Sequence, residues 1–543
     1  MTTTTQVRSA VLDSEHVGDI RGALGTIALD DDSPRRGVSA TLRTLLAIVG
    51  PGLIVMVGDN DAGAFATYGQ AGQDYGMRLL WTLLLLVPVL YVNQEMVLRL
   101  GSVTGVGHAR LILERFGRFW GAFSVIDLFL LNALTIITEF IGITLAAGYL
   151  GLPKAGAVVL AGAVIVGSAF TGSFRRFERM AMAFCGSSLL LIPVYFLAHP
   201  RASQMARGFA IPQLPGGSGQ LSAVMLLIIG IVGTTVAPWQ LFFQQSYVID
   251  KRITPRFMKY EKADLWIGIV IVVTGAAALM GATAAAFAGT RGFGQFSDAA
   301  GLARGLGAYA GRITGVLFAI ALLDASVIGA FAVSLSTAYA IGDVFGLRHS
   351  LHRGVKGARG FYAIYAGLIG AAAAVVLIPG SPLGLLTEGV QVLAGVLLPS
   401  ATVFLLLLCN DKAVLGPWVN GRMTNMFTAA VVAVLVTLSV VLTASVLFPA
   451  ITAGQIVAIV ACCGGASVLA AGFALARRLR PGSLAGLPAD RTERASWRMP
   501  PLALLSRPAM STGRKIGMSA LRLYLAVAMV LVIVRIVQLA AGH

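Results

Sequence analysis

Gly58-Asp59-Asn60-Asp61-Ala62-Gly63-Ala64 interrupts an apolar segment that begins near residue 45. Glycine, asparagine and aspartate compete poorly for helix interiors, so this run is read as a break within a helix. In hydrocarbon a freed N–H, a freed C=O or a carboxylate finds no partner. Such a break is tolerated only inside protein or against a water-filled cavity. A second interruption, Gly233-Thr234-Thr235-Val236-Ala237-Pro238-Trp239-Gln240, falls about as far into an apolar segment that starts near residue 221. Pro238 lacks an N–H and leaves a carbonyl one turn earlier unpaired. Two broken helices in corresponding halves of one chain point to a solute site near the bilayer midplane.

The rest of the chain supplies the membrane that these breaks require. The sequence is 57% hydrophobic and only 12% charged, with mean hydropathy +0.82, against about 25% charged for a soluble domain. Twelve apolar segments, from 45–70 to 454–476, are long enough to be spans. The net charge of +17 sits mostly in alternate loops, around Arg110–Arg118, Arg175–Arg179, Lys251–Lys262 and Arg348–Arg359. This is a topology signal that places the N-terminus in the cytoplasm, and it argues against nucleic acid as a partner. Lipid is the expected surroundings, in a bacterial inner membrane. No cleaved signal peptide is read at the start.

The breaks divide the first ten segments into two sets of five. An odd number of crossings per set inverts the second relative to the first, giving an all-α polytopic membrane protein of two inverted five-helix repeats. The expected organisation is a mobile leader at 1–44 and a core at 45–410, with halves at about 45–198 and 219–410. Two peripheral helices at 424–476, a Pro/Arg-rich cytoplasmic linker at 478–516 and a further span at 517–540 follow.

Asp61 is the first site candidate. A carboxylate beside free helix-end carbonyls is an oxygen set for a hard cation; the lesser reading is an aspartate that only caps the second half-helix. Asp59 and Asn60 could line a vestibule, hydrate an ion or cap the helix. The second break offers carbonyls near Thr234 and Ala237, the Thr234 and Thr235 hydroxyls and the Gln240 amide. Trp239 is a gate, a pocket wall or plain packing. Asp324, midway along the eighth segment, is a transient ligand, a proton relay or a structural hydrogen-bond partner. Cys185, Cys409, Cys462 and Cys463 have neither metal-ligand nor disulfide spacing. No phosphate loop, nucleophile elbow or hydrolase motif is found, so no enzyme and no cofactor is expected; a metal ion enters only as cargo.

Gly50-Pro51-Gly52-Leu53, Asp61-Ala62-Gly63-Ala64-Phe65-Ala66-Thr67, Gln70-Ala71-Gly72, Arg99-Leu100-Gly101-Ser102-Val103-Thr104-Gly105 and Gly230–Pro238 together resemble the natural resistance-associated macrophage protein family of divalent-metal transporters. The resemblance covers roughly 45–410. It implies the amino-acid/sodium-symporter-like fold and a metal site between the first and sixth helices, at Asp61, the Ala64 position, Thr234, Ala237, Gln240 and Gln391. It also keeps a family glutamate at Glu139. The departures are informative. The family's asparagine ligand is Ala64 here, its methionine ligand is Ala237, and its two sixth-helix histidines are Trp239 and Gln244. Loss of the soft sulfur favours magnesium or manganese over iron, as in the magnesium-transporting branch of the family. Loss of the histidines implies weak or absent proton coupling. The rival expectation is a broken-helix transporter of a small organic solute such as an amino acid.

Overall fold

The computed structural model describes residues 10–215, 221–378, 383–448, 451–478 and 494–506, with scattered positions beyond. A short hairpin, β1 (Ile20–Arg21) and β2 (Thr26–Ile27), comes first. Helices α1 (Val38–Ile48), α2 (Pro51–Val57), α3 (Ala62–Tyr75), α4 (Trp81–Thr104), α5 (His108–Phe116), α6 (Arg118–Tyr149), α7 (Lys154–Ala169), α8 (Phe174–Ser187) and α9 (Leu191–Leu197) form the first half. After α10 (Ala202–Ala210), the second half has α11 (Leu221–Thr235), α12 (Pro238–Asp250), α13 (Met258–Phe287), α14 (Ala299–Tyr309), α15 (Arg312–Phe345), α16 (Arg359–Val376) and α17 (Leu383–Cys409). A short α18 (Lys412–Leu415) leads to α19 (Arg422–Leu447) and α20 (Ala453–Arg478).

Among the described residues, nine helices are long and apolar enough to cross a membrane, or ten if α1 and α2, bent by 54°, count as one span. Lys154–Ala169 and Gly454–Ala470 are shorter apolar helices. The protein is an integral membrane protein of the expected all-α class. Its packing shows the inverted symmetry: α2 and α3 lie along α13, the second span of the second half. Reciprocally, α12 lies along α4, the second span of the first half. The equivalent third spans, α6 and α15, pack on each other. Every residue of α12 is buried, so the second broken helix runs through the middle of the molecule.

Two differences from the sequence reading stand out. The segment expected to start at 45 is preceded by α1, a helix from residue 38 that kinks before Pro51. Pro51 at the first position of α2 starts a new helix because it needs no N–H partner there. The Asp264 carboxylate then accepts the N–H groups of Gly50, Gly52 and Leu53 at 3.2, 2.6 and 3.2 Å. The leader, read as mobile, is seated on the core from Ala10 onward. Most of the 478–516 linker and the 517–540 segment fall outside the described residues. Within the linker, Met499 is fully buried and its N–H donates to the Val103 carbonyl at 3.2 Å.

Candidate functional site

Both breaks form where the sequence places them. Gly58 ends α2, and Asp61 begins α3 in an extended conformation, its Oδ1 accepting the Ala64 N–H at 2.9 Å. Across from it, α11 stops at Thr235 and α12 restarts at Pro238, with Ala237 extended between them. Among the described residues no hydrogen bond reaches the carbonyls of Gly58, Asp59 or Asn60. Asp59, Asn60 and Asp61 are all buried, Asp59 completely.

Polar side chains from α12 and from three other spans converge on these breaks. From α12, the Gln240 amide donates to Asp59 Oδ1, while Gln94 of α4 donates to Gln240 Oε1 at 2.9 Å. Glu139 of α6 accepts the Ala62 N–H at 3.1 Å and hydrogen-bonds the Asp61 carboxyl. A Cβ on Gly329 of α15 would stand 2.7 Å from Glu139 Oε2 and 3.0 Å from Asp61 Cβ. Glycine is therefore what lets the two acids meet there. Gln391 of α17 lies over Gly63, where any side chain would collide with its amide. The Gln391 Nε2, Asp59 Oδ2, Asn60 Oδ1, Glu139 Oε1 and Thr234 Oγ1 atoms are buried without a hydrogen-bond partner. Buried polar atoms left unpaired cost about 1–3 kcal/mol each, so a gathering of them calls for a bound species.

Several candidates thereby acquire distinct places. Asp61 is a helix cap, and its second oxygen makes no part of that cap. Ala64 contributes an N–H to Asp61 and the space its methyl leaves. Thr235 is used up, since its Oγ1 pairs with the Tyr68 hydroxyl at 2.7 Å and donates to the Ile231 carbonyl at 2.5 Å; Thr234 is the hydroxyl left over. The Ala237 carbonyl accepts the Gln240 N–H at 3.2 Å. Asn60 is anchored away from the break through Nδ2 to the Val272 carbonyl at 3.3 Å. Trp239 packs its ring against Gly58, and its carbonyl accepts the Ser336 hydroxyl at 2.9 Å, which makes it a wall beside Asp59. Asp324 meets Ser187 of α8 instead of joining the breaks. Sequence reasoning missed Gln94, Tyr68 and Ser336. A glutamine inside the apolar run 81–104 was the available signal for the first.

Among the described residues no three His, Cys, Asp or Glu side chains are placed to hold a metal ion. The donors that converge are carboxylate, amide, hydroxyl and carbonyl, a set suited to hard cations that keep some water. A narrow recess lined by Ser124, Asp127, Pro238, Phe242 and Ser400 leads from the second break toward the face where α1 begins. Another, lined by Ala62, Ala66, Gly142 and Asp298, lies toward the opposite face. A cavity of about 810 Å³ at that opposite face has Arg78, Arg201 and Arg207 and no acid in its lining, so it is no cation site.

Residues 52–445 match the family described as natural resistance-associated macrophage protein-like. A protein of Ralstonia nicotianae named divalent metal cation transporter MntH is 30% identical over 420 residues, spanning 74% of this chain and 90% of the relative. A protein of the same name from Burkholderia ambifaria is 31% identical over 314 residues, 54% of this chain and 66% of the relative. The fold is similar to the crystal structure of the Eremococcus coleocola manganese transporter in complex with an aromatic bis-isothiourea substituted compound. The TM-score is 0.62 at 20% identity, covering 86% of this chain and 97% of that one. The chain belongs to the natural resistance-associated macrophage protein-like family.

Proposed function

We propose that the chain carries a hard divalent cation, magnesium or manganese, across the membrane by alternating access. The observation that carries this reading is the pair Asp59 and Asp61, buried at a helix break with unpartnered oxygen at Asp59 Oδ2 and free carbonyls beside them. The transport named for the relatives supports it. Asp61, Asp59, the Thr234 hydroxyl, the Ala237 carbonyl and the Gln391 amide are the groups that would meet the ion or its waters. Gln240 holds Asp59, and Glu139 holds Asp61. Ala64 and Ala237 leave room for a partly hydrated ion and present no sulfur, which favours magnesium and manganese over softer metals. A small organic acid is disfavoured because the paired carboxylates would repel its own.

The face carrying α1 and the basic loops is cytoplasmic in this reading. With Trp239 and Gln244 where histidines would titrate, the ion moves down its own gradient and the membrane potential, without an accompanying proton. A divalent ion gains about 4.6 kcal/mol per 100 mV, twice the single-charge value, which is enough to drive uptake. The test is uptake of magnesium, manganese and calcium into proteoliposomes holding a pH-sensitive dye. Saturable magnesium or manganese entry without acidification supports the proposal. Matching acidification would overturn the uncoupled mechanism, and no divalent entry would overturn the transport reading.

A further inference from the structure

Residues 10–36 cross the face where α1 begins and hold both halves of the core at once. To the first half, the hairpin is fastened at its turn. The Ala23 N–H donates to the Glu178 carboxylate of α8, and Arg175 and Arg179 donate to the carbonyls of Gly22 and Ala23, each at 3.0 Å. Glu178 also forms a fully buried ion pair with Lys251 at 2.7 Å, and the Lys251 ammonium donates to the carbonyls of Ile48 and Val49 at the α1–α2 kink. Ile20 and Ile27 are buried in one apolar cluster with Ile48 of α1 and with Val248, Ile253 and Phe257 from the second half.

To the second half, charged groups and hydrogen bonds add to that apolar contact. Arg353, in the loop between α15 and α16, grips Asp13 with Nε at 3.2 Å and Nη2 at 2.7 Å, and the His349 N–H donates to Asp13 at 3.1 Å. Arg252, just past α12, donates to the Glu15 carbonyl at 2.7 Å and the Asp19 carbonyl at 3.2 Å. His16 is buried 3.6 Å from Asp250, edge-on to the His349 ring. A segment that leaves the first core helix and returns to bind the far half is a tie across the line along which the halves would part.

We propose that residues 10–36 form a clamp that holds the cytoplasmic ends of the two halves together, so that this face opens only when the clamp lets go. The inference rests on the alternating-access reading above, and it assigns the leader a gating role that the core alone does not have. The recess at Ser124, Pro238 and Ser400 adjoins the second break and is narrow as it stands, so access to Ser124 reads whether this face has opened.

The experiment uses the full chain in liposomes, with Ser124→Cys as a reporter in a background where the four native cysteines are replaced by serine. Labelling by a membrane-impermeant maleimide from the cytoplasmic side is compared for Asp13 and for Asp13→Arg, which sets two cations against each other at Arg353. Hydrogen exchange over residues 10–36 reports release. The expected result is loss of protection in 10–36 and labelling at least fivefold faster, with both restored by Asp13→Arg combined with Arg353→Asp. Lost protection with unchanged labelling would overturn the clamp. So would unchanged protection in Asp13→Arg, because that ion pair is the clamp's charged anchor on the second half. Labelling needs no transport, so the two proposals fail separately. A response without divalent uptake keeps the clamp and discards the transporter, and uptake without a response does the reverse.

Discussion

Gln240 on the second broken helix donates its side-chain amide to the carboxylate of Asp59 on the first. The bond ties together the two elements between which an ion would sit, and Gln94 backs it from a third helix at 2.9 Å. Asp59 is thereby aimed at the centre of the molecule with its other oxygen free. Its neighbour Asp61 is turned into the same space by capping α3. Two acids two residues apart thus reach one place by different means, one through a long-range amide and one through its own helix.

Asp61→Asn is the cleanest charge removal, because asparagine caps helices as well as aspartate does and the α3 start is kept. Loss of an outer partner of a metal ligand typically costs 10–100-fold in affinity. Loss of a carboxylate that meets the ion should cost at least about 100-fold. Titration calorimetry with magnesium and manganese on purified Asp61→Asn checks this. An unchanged melting temperature together with lost binding is expected; retained affinity would move the ion away from Asp61.

Gln240→Leu removes the partner that orients Asp59 and leaves a buried carboxylate oxygen unsatisfied, at about 1–3 kcal/mol. The expected outcome is a lower melting temperature and divalent affinity reduced roughly 10- to 100-fold. Gln94→Leu should give a weaker version of both, since Gln240 keeps its bond to Asp59. Equal effects from the two variants would mean that Gln94, not Gln240, fixes the acid.

Both breaks, the membrane class and the two-fold plan were legible because polar and glycine residues in long apolar runs are costly unless they serve a site. The partners of those breaks were less so. Glu139 lies far along the chain from Asp61, and only tertiary packing at Gly329 brings them together. Gln94 and Tyr68 sit in helices whose periodicity says which face is apolar but not which neighbour receives a lone amide or hydroxyl. The leader was the largest miss. Its polar, threonine-rich composition resembles a loose tail, and its order comes from arginines and acids in distant loops that no local pattern reveals. Asp324 takes the structural one of its expected readings, a hydrogen bond to Ser187 of a neighbouring helix outside the breaks.

Ala237→Met places a thioether at the second break beside the carboxylates. Sulfur is a soft donor, so affinity for cadmium should rise relative to magnesium, by about tenfold in a competition uptake assay. The added bulk should also reduce magnesium uptake by crowding its water shell. An unchanged preference would show that Ala237 does not face the ion.

Acid should loosen the clamp. Burial pushes the His16 imidazole below its usual value, helped by the nearby His349, while Asp250, Asp13 and Asp343 oppose the shift. Burial also resists charge on His349, but the Asp343 carboxylate 2.9 Å away overrides it and raises His349 to about 9, so this ring is already cationic at neutral pH. Asp13 is held at about 2: burial works against its charge, and the Arg353 hydrogen bonds outweigh that. The signs then follow by linkage. His16 is lowered in the seated clamp, so its contribution is complete above about pH 6.5 and is lost as pH falls toward its seated value. Asp13 is also lowered, so its contribution holds above about 3.8 and disappears toward 2. The His349–Asp343 pair belongs to the core side and weakens only as pH rises through about 9. Seating should therefore be firmest between roughly pH 7 and 8 and fall by up to about tenfold per pH unit below 6.5. Exchange protection over residues 10–36, corrected for intrinsic rates and followed from pH 8 to pH 5, is the measurement. His16→Gln should flatten the response in that range, and an unchanged acid response in that variant would remove His16 as its source.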